Sequence, residues 1–132
     1  MMEPEVEAVF KDAESLYEEA LRDLEAKRVR KAAENAWAAR LRATNALILS
    51  KIGRMPEYVP ETRNMLEELA IKHPEVEALV GRFYTGETFL HGHCFYLGIC
   101  PPEVVERRVR ETGKYIEDAK KLARVVGHCK RK

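Results

Sequence analysis

The sequence predicts a small all-α protein, an antiparallel bundle of about five helices that forms one domain of residues 1–132, with its core from about residue 4 to 127. Three observations predict this fold. Apolar residues repeat with the helical period through almost the whole chain. Prolines and glycines separate the periodic segments. No segment has the strict alternation of apolar and polar residues that is typical of an amphipathic strand.

Two long periodic segments predict the first two helices. The first runs from about Pro4 to Lys27, and its proline suits the first turn, where the missing N–H carries no penalty. The second runs from about Val29 to Ile52 and carries apolar residues more widely around its circumference. We therefore expect the second segment to be the central helix, with Gly53 as its C-cap residue.

Three further helices complete the prediction. The third runs from about Pro60 to Lys72 and stops at His73, because proline at the next position disfavours helix there. The fourth runs from Pro74 to about Tyr96, although its glycines lower the helix propensity. After a turn, the last helix runs from about Pro102 to Val126.

The charge balance bears on the class of partner. The chain has 23 Lys and Arg against 22 Asp and Glu, a net charge of +1, so the large basic excess of strong nucleic-acid binders is absent. A nucleic-acid partner stays possible but is not indicated. Two local basic patches, at residues 27–31 and 130–132, are expected to be a helix junction and a solvated tail. The high content of mixed charge also fits a thermophilic source.

The expected location of the protein depends on whether the sequence contains a secretory leader or a membrane-spanning segment. The acidic start lacks the basic and then apolar pattern of a secretory leader. No apolar run approaches the roughly 18 residues of a membrane span. We therefore expect a cytoplasmic protein with no membrane partner.

The three cysteines, Cys94, Cys100 and Cys129, are expected to be free thiols, because their number is odd and the compartment is expected to be reducing. A metal site would need His91, Cys94 and Cys100 together with a further ligand. The paired spacings of zinc sites are absent, and His91 and His93 point to nearly opposite sides of a helix. We therefore expect no metal and no cofactor, and keep a metal-binding or redox protein as an alternative.

The most unusual polar residues fall on apolar helix faces. Arg40 lies in the middle of the stripe of the second helix, Glu87 lies in that of the fourth, and His91 lies beside Glu87. A buried charge must be paired, so we expect each of the three to have a partner, and they could partner one another. Two other readings stay open: a half-exposed position at the edge of the stripe, and a purely structural pair. The candidate catalytic residues are Arg40, Glu87 and His91, and the candidate ligand-binding residues are Trp37, His93 and Tyr96.

Two stretches resemble a known family. Residues Lys31 to Ala39 look like the central helix of the archaeal PaREP family. Residues Phe89 to Tyr96, followed by Pro101-Pro102-Glu103, are similar to its second marker, a Leu-His before an aromatic pair and then a Pro-Glu helix start. The similarity spans roughly Ser15 to Val126. The PaREP family in turn resembles the HEPN group (higher eukaryote and prokaryote nucleotide-binding domains).

The resemblance implies an antiparallel bundle that often forms homodimers. Some HEPN proteins are metal-independent ribonucleases of toxin–antitoxin or defence systems, with an Arg a few residues before a His in a shared cleft. His91 matches that histidine, but Tyr84, Thr85 and Gly86 occupy the positions where the Arg would stand, and the nearest one is Arg82. Other HEPN-like proteins are inactive binding partners of nucleotidyltransferases, a role that does not need the Arg.

Three functional hypotheses follow. The first is a HEPN-like binding or interaction module that forms a homodimer and does not catalyse. The second is a ribonuclease or nucleotide-acting enzyme that uses His91 with Arg40 as a displaced arginine. The third is the metal-binding or redox protein that uses His91, Cys94 and Cys100. The homodimer is expected both from the resemblance and from the apolar breadth of the second helix.

Overall fold

A computed structural model describes residues 2–126 and shows an all-α bundle there, as predicted. The α-helices are α1 (Pro4–Glu25), α2 (Val29–Ile52), α3 (Val59–Lys72), α4 (Glu77–Thr85) and α5 (Pro102–Val126). A 3₁₀ turn, Pro74–Val76, precedes α4, and a π-helix, Gly86–Tyr96, continues it. The basic patch at residues 130–132 and Cys129 lie outside the described residues.

Helix α2 is the centre of the bundle, as its sequence predicts. It contacts α1, α3, α4, α5 and the π-helix. Fourteen of its 24 residues are buried, and six of these are alanines, whose small side chains let neighbouring helices approach closely. The apolar breadth of α2 is therefore covered by helices of the same chain.

Side-chain contacts between helices fix the helix directions. The contacts are Arg42–Asp12 and Asn35–Asp23 between α2 and α1, and Tyr17–Arg110 and Lys120–Glu14 between α1 and α5. As the residue numbers rise along α1, the numbers of the contacting residues fall along α2 and along α5. Helix α1 therefore runs antiparallel to both. The start of α2 and the end of the π-helix consequently lie at the same end of the bundle as the end of α1 and the start of α5.

The first helix ends earlier than the sequence predicts because the chain turns at Lys27. This residue has φ +65°, the only positive φ of a non-glycine residue in the described part of the chain. Its N–H donates to Leu24 O (3.0 Å), and the N–H of Arg28 donates to Asp23 O (2.8 Å). Together these bonds form a Schellman motif, which normally places glycine where Lys27 stands.

Glycines end two other helices by the same kind of turn. Gly53 has φ +91° and donates its N–H to Leu49 O, which confirms it as the C-cap residue of α2. Gly98 has φ +78° and donates its N–H to Cys94 O, so the chain folds back sharply after the π-helix. No helix in the described part of the chain is long and apolar enough to cross a membrane.

The fourth predicted helix differs most from expectation. It is a single α-helix in the prediction, but in the structure the hydrogen bonding widens to the π pattern from Gly86 onward. The buried residues there, Gly86, Leu90 and Cys94, are four positions apart, which fits a helix with more than 3.6 residues per turn. The helical walk at 100° per residue still places Leu90 and Cys94 correctly in the core, but it misplaces Glu87, which is partly exposed.

Candidate functional site

Arg40 is a structural tie in the core. Its side chain is 2% exposed. Nε donates to Thr112 Oγ1 (3.0 Å), Nη1 donates to Arg82 O (2.7 Å) and Nη2 donates to Arg108 O (2.7 Å). All three acceptors are neutral oxygens, and burial lowers the pKa of the guanidinium to about 10. Arg40 thus joins α2 to α4 and α5 with every bond directed inward.

Tyr115 completes this buried polar layer. Its ring centre lies 5.7 Å from the guanidinium carbon of Arg40 and 5.3 Å from that of Arg82. Its hydroxyl lies 2.6 Å from Thr44 Oγ1, which itself donates to Arg40 O (2.7 Å). The tyrosine hydroxyl is therefore the donor of the pair. Burial raises the pKa of Tyr115 to about 12.

Glu87 has a partner on another helix. It forms a salt bridge with Arg63 of α3 (Nε to Oε1, 3.2 Å), and its side chain is partly exposed. Sequence reasoning placed Glu87 in the middle of the apolar stripe, and the π-helix instead turns it toward α3. The contact is an ion pair between α3 and the π-helix.

His91 forms a second pair, between the π-helix and α2. Its Nδ1 lies 2.8 Å from Glu34 Oε1, and both side chains are partly exposed. The imidazole stacks on the ring of Phe95 (6.2 Å between centres) and lies 6.0 Å from the Trp37 ring. The expectation that Arg40, Glu87 and His91 each have a partner is confirmed, but none of the three pairs with another.

The expectation of free thiols is wrong for two cysteines. Cys94 and Cys100 form a disulfide, with their Cα atoms 4.5 Å apart. The turn at Gly98 folds the chain back and brings the two side chains together, which the spacing in sequence alone does not reveal. While the bond is intact, neither sulfur is available as a thiolate ligand beside His91. Among the described residues no group of three or more His, Cys, Asp or Glu side chains is placed to hold a metal.

The disulfide closes a loop that exposes large apolar side chains. Tyr96 is 74% exposed, Leu97 62%, Ile99 54% and Phe95 37%. Large apolar side chains that are exposed next to one another are unusual on a protein surface. They form the apolar part of what we name the apical surface.

Basic residues lie beside this loop. Arg30, at the start of α2, donates Nη2 to Phe95 O (2.7 Å) and to Tyr96 O (3.3 Å). Its guanidinium also lies against Gly98, 3.4 Å from where a Cβ would stand. The predicted patch at residues 27–31 is therefore next to the apolar loop. The apical surface comprises Phe95, Tyr96, Leu97 and Ile99 together with Lys27, Arg28, Arg30 and Lys31.

The three predicted ligand-binding residues have different environments. Tyr96 lies on the apical surface, and His93 is exposed with its Nδ1 3.2 Å from Thr88 O. Trp37 is 4% exposed and packs on Phe83, so it belongs to the core. Sequence reasoning missed Glu34 and Arg30, because it cannot say which residue of α2 faces which residue of the π-helix.

Comparison with known proteins adds no assignment. No protein-family model matches this chain, and no curated protein matches it either.

Proposed function

We propose that this chain is a HEPN-like helical binding module that does not catalyse and that binds its partner through the apical surface. One observation carries the proposal: four of the seven large apolar side chains that are exposed in the described residues lie in one loop, at residues 95–99. Clustered apolar exposure of this kind is typical of interaction sites.

The loop is also held in place. The disulfide closes it at its base, and Arg30 binds the backbone oxygens of Phe95 and Tyr96. A surface fixed before binding loses less conformational entropy when the partner docks. This favours a role in recognition over a role as a connecting loop.

The fate of the catalytic candidates supports a role without catalysis. Arg40 directs its three side-chain hydrogen bonds to core oxygens, Glu87 is paired with Arg63, and His91 is paired with Glu34. A general acid–base site needs its groups to converge on one reacting position. These three groups belong to separate contacts.

A binding panel tests the proposal. The full chain is titrated with a single-stranded RNA oligonucleotide, ATP, and vesicles of neutral and of anionic lipid, beside the double variant Tyr96→Ser/Leu97→Ser. We expect the wild type to bind at least one probe and the double variant to lose that binding while its circular dichroism stays unchanged. A double variant that binds every probe as the wild type does would overturn the proposal.

Homodimerisation and a nucleotidyltransferase-type partner protein are further parts of this proposal, and both rest on the resemblance to HEPN-like proteins. The apolar breadth of α2 no longer argues for a dimer, because helices of the same chain cover it. Light scattering at micromolar concentration tests the dimer, and a monomer mass would exclude it.

A cytoplasmic location and a thermophilic archaeal source belong to the proposal as well. They fit together with the disulfide, because intracellular proteins of hyperthermophilic archaea are rich in disulfides, whereas those of mesophiles rarely keep them. Alkylation of the protein in fresh lysate of its source, followed by mass measurement, tests this. The proposal of a thermophilic source would be contradicted if the source grows at moderate temperature and both Cys94 and Cys100 are found fully reduced.

A second candidate function rests on the pair of Glu34 and His91. A carboxylate that binds Nδ1 orients the imidazole and leaves Nε2 as the atom for proton transfer, the arrangement of a general base. Arg40, the displaced arginine of the ribonuclease hypothesis, is buried and bound to core oxygens, so this second function rests on the pair of Glu34 and His91 without it. RNA cleavage in EDTA that is lost in His91→Ala and kept in His93→Ala would support this function, and no cleavage by the wild type would exclude it.

A further inference from the structure

We infer that the apical surface docks on an anionic lipid surface, with Tyr96, Leu97 and Ile99 entering the headgroup region while the neighbouring basic residues bind the headgroups. This inference rests on the proposed function, because it names the partner of the same surface. It departs from the expectation of no membrane partner, which was based on the lack of a membrane-spanning segment, because contact with one face of a bilayer needs no spanning helix.

The loop at residues 95–99 has a shape and composition that suit a lipid surface. Tyr96, Leu97 and Ile99 are each more than half exposed, so they project from the end of the bundle instead of lining a groove. Aliphatic side chains transfer favourably from water into the acyl boundary of a bilayer. A tyrosine suits the interface because it combines an apolar ring with a polar hydroxyl. A projecting apolar loop fits a deformable lipid surface without a preformed cavity in the partner.

The charges around the loop also suit an anionic surface. Lys27, Arg28, Arg30 and Lys31 are all exposed at this end of the bundle, and the exposed acidic residues nearest in the chain are Glu25 and Glu103. Asp23 lies at the same end, and its buried carboxylate forms an ion pair with Arg28, so these two charges cancel. Lys27, Arg30 and Lys31 remain against Glu25 and Glu103, so the surface is positive on balance. Basic residues beside an inserted apolar group strengthen attachment to anionic lipid, since neither alone anchors a protein stably.

The same features disfavour two other partners. A nucleic acid could use the basic residues and stack on Tyr96, but it offers nothing that Leu97 and Ile99 could bury against. A second copy docked through the same surface would bring the two sets of basic residues together, and like charges at an interface are unfavourable.

The test uses co-sedimentation of the full chain with vesicles of phosphatidylcholine alone and of phosphatidylcholine with about 30% phosphatidylserine, the kind of anionic surface that attracts basic segments. We expect binding to the anionic vesicles to exceed binding to the neutral ones by about tenfold or more. It should weaken strongly when the salt rises from about 0.1 M to about 0.5 M, because the Debye length shortens.

Matched variants distinguish the apolar side chains of the apical surface from apolar side chains that are exposed elsewhere. Tyr96→Ser/Leu97→Ser should weaken binding by about tenfold or more, since two inserted side chains are lost. The control, Tyr58→Ser/Ile71→Ser, removes side chains that are 70% and 80% exposed but lie outside the apical surface, and it should bind as the wild type does. Equal losses in both double variants would overturn the inference.

A second pair of variants tests the basic residues. Lys27→Asn/Lys31→Gln should reduce binding to anionic vesicles and flatten the salt dependence, whereas Lys11→Gln/Lys121→Gln, which removes two exposed lysines elsewhere, should change neither. Equal binding to neutral and anionic vesicles would overturn the inference, and so would no vesicle binding at all.

The outcome also separates this inference from the proposed function. If Tyr96→Ser/Leu97→Ser abolishes binding to the RNA oligonucleotide or to ATP while vesicles do not bind, the apical surface is a binding surface but not for lipid. If light scattering shows a dimer that this double variant converts to monomer, the surface binds a second copy. If no probe and no dimer depends on it, both proposals fail.

Discussion

The guanidinium of Arg40 and the ring of Tyr115 lie 5.7 Å apart in the core, and burial shifts their pKa values in opposite directions. The pKa of Arg40 falls to about 10 and that of Tyr115 rises to about 12. In both cases the neutral form is favoured, because a charge buried here has lost its water. The two shifts have opposite effects on stability at alkaline pH.

Between pH 10 and pH 12, folded Tyr115 keeps a proton that the unfolded chain releases, so its contribution to stability is lost as the pH rises through this window. Arg40 behaves in the opposite way. The unfolded chain keeps a proton that the folded protein releases, so its contribution to stability grows over the same window. We expect the two contributions largely to cancel in the wild type.

Tyr115→Phe should reveal this cancellation. At about pH 9 the variant should be less stable by about 1 kcal/mol, because the buried hydrogen bond to Thr44 is lost. As the pH rises to about 12, the difference should move by roughly 2 kcal/mol in favour of the variant, because only the wild type has the tyrosine contribution to lose, so the deficit should disappear and the variant should become the more stable protein. Urea unfolding followed by circular dichroism measures both quantities. Tyr58→Phe, at an exposed position, is the control, and a deficit that does not change with pH would contradict the prediction.

Arg40→Lys should destabilise the fold although the charge is kept. A lysine ammonium cannot reach acceptors on α4 and α5 at once from the position that the planar guanidinium occupies. We expect a loss of about 2 to 4 kcal/mol in the free energy of unfolding, since buried acceptors lose charged donors. Arg107→Lys changes an exposed arginine of α5 and should alter the stability by less than about 0.5 kcal/mol. An Arg40→Lys variant as stable as its control would show that Arg40 does not tie the helices together.

Gly86→Ala should destabilise the protein where α4 becomes the π-helix. An added Cβ would lie 3.0 Å from Arg40 Cδ and 3.2 Å from an atom of the Trp37 ring, both in the packed core. Overpacking of this kind costs about 1 to 3 kcal/mol. The matched control is Gly81→Ala in α4, where no atom lies within 4 Å of the added Cβ, and it should stabilise by up to about 1 kcal/mol. Equal thermal shifts in the two variants would contradict the close approach at Gly86.

Lys27→Gly should stabilise the protein. Lys27 has φ +65°, which is unfavourable for a residue with a Cβ and easy for glycine. We expect a gain of up to about 1 kcal/mol, because the relief in the folded state exceeds the extra freedom of the unfolded chain. Lys27→Ala removes the same charge without relieving the backbone, so a gain of equal size in that variant would assign the effect to charge instead.

Reduction of the Cys94–Cys100 disulfide should loosen the loop at residues 95–99 and leave the bundle folded. Closing a short loop contributes on the order of 2 kcal/mol. Hydrogen exchange of the loop amides should accelerate after reduction, with little change in the middle of α2. Cys100→Ser supplies the control, because a reductant should have no further effect on it. Unchanged exchange in the reduced protein would contradict the prediction.

The parts of the fold that the sequence predicts well depend on local rules. The bounds of α2 and α5 follow from apolar periodicity and from the residues that border them, Gly53 and Pro102. The central place of α2 follows from apolar residues all around it. Each of these conclusions needs only residues close in sequence, and therefore no knowledge of how the helices pack.

The candidate site was harder to predict because it depends on contacts between distant residues. The pair of Glu34 and His91 needs the register of α2 against the π-helix, and the π-helix itself changes the angle between successive side chains. Residues 27–31 and 95–99 are far apart in sequence, so only the fold shows that they form one surface. The disulfide depends on a turn of the backbone that the spacing of Cys94 and Cys100 does not encode.

The position of the disulfide has a mechanical consequence. Cys94 is anchored in the core, and Cys100 stands just before α5 begins at Pro102. A force that pulls on Tyr96 or Leu97 is therefore transmitted through a covalent link to the packed helices and not through a flexible strand of backbone. When a partner binds residues 95–99, the helical bundle should therefore move together with the loop. The bundle would then keep a fixed orientation relative to that partner.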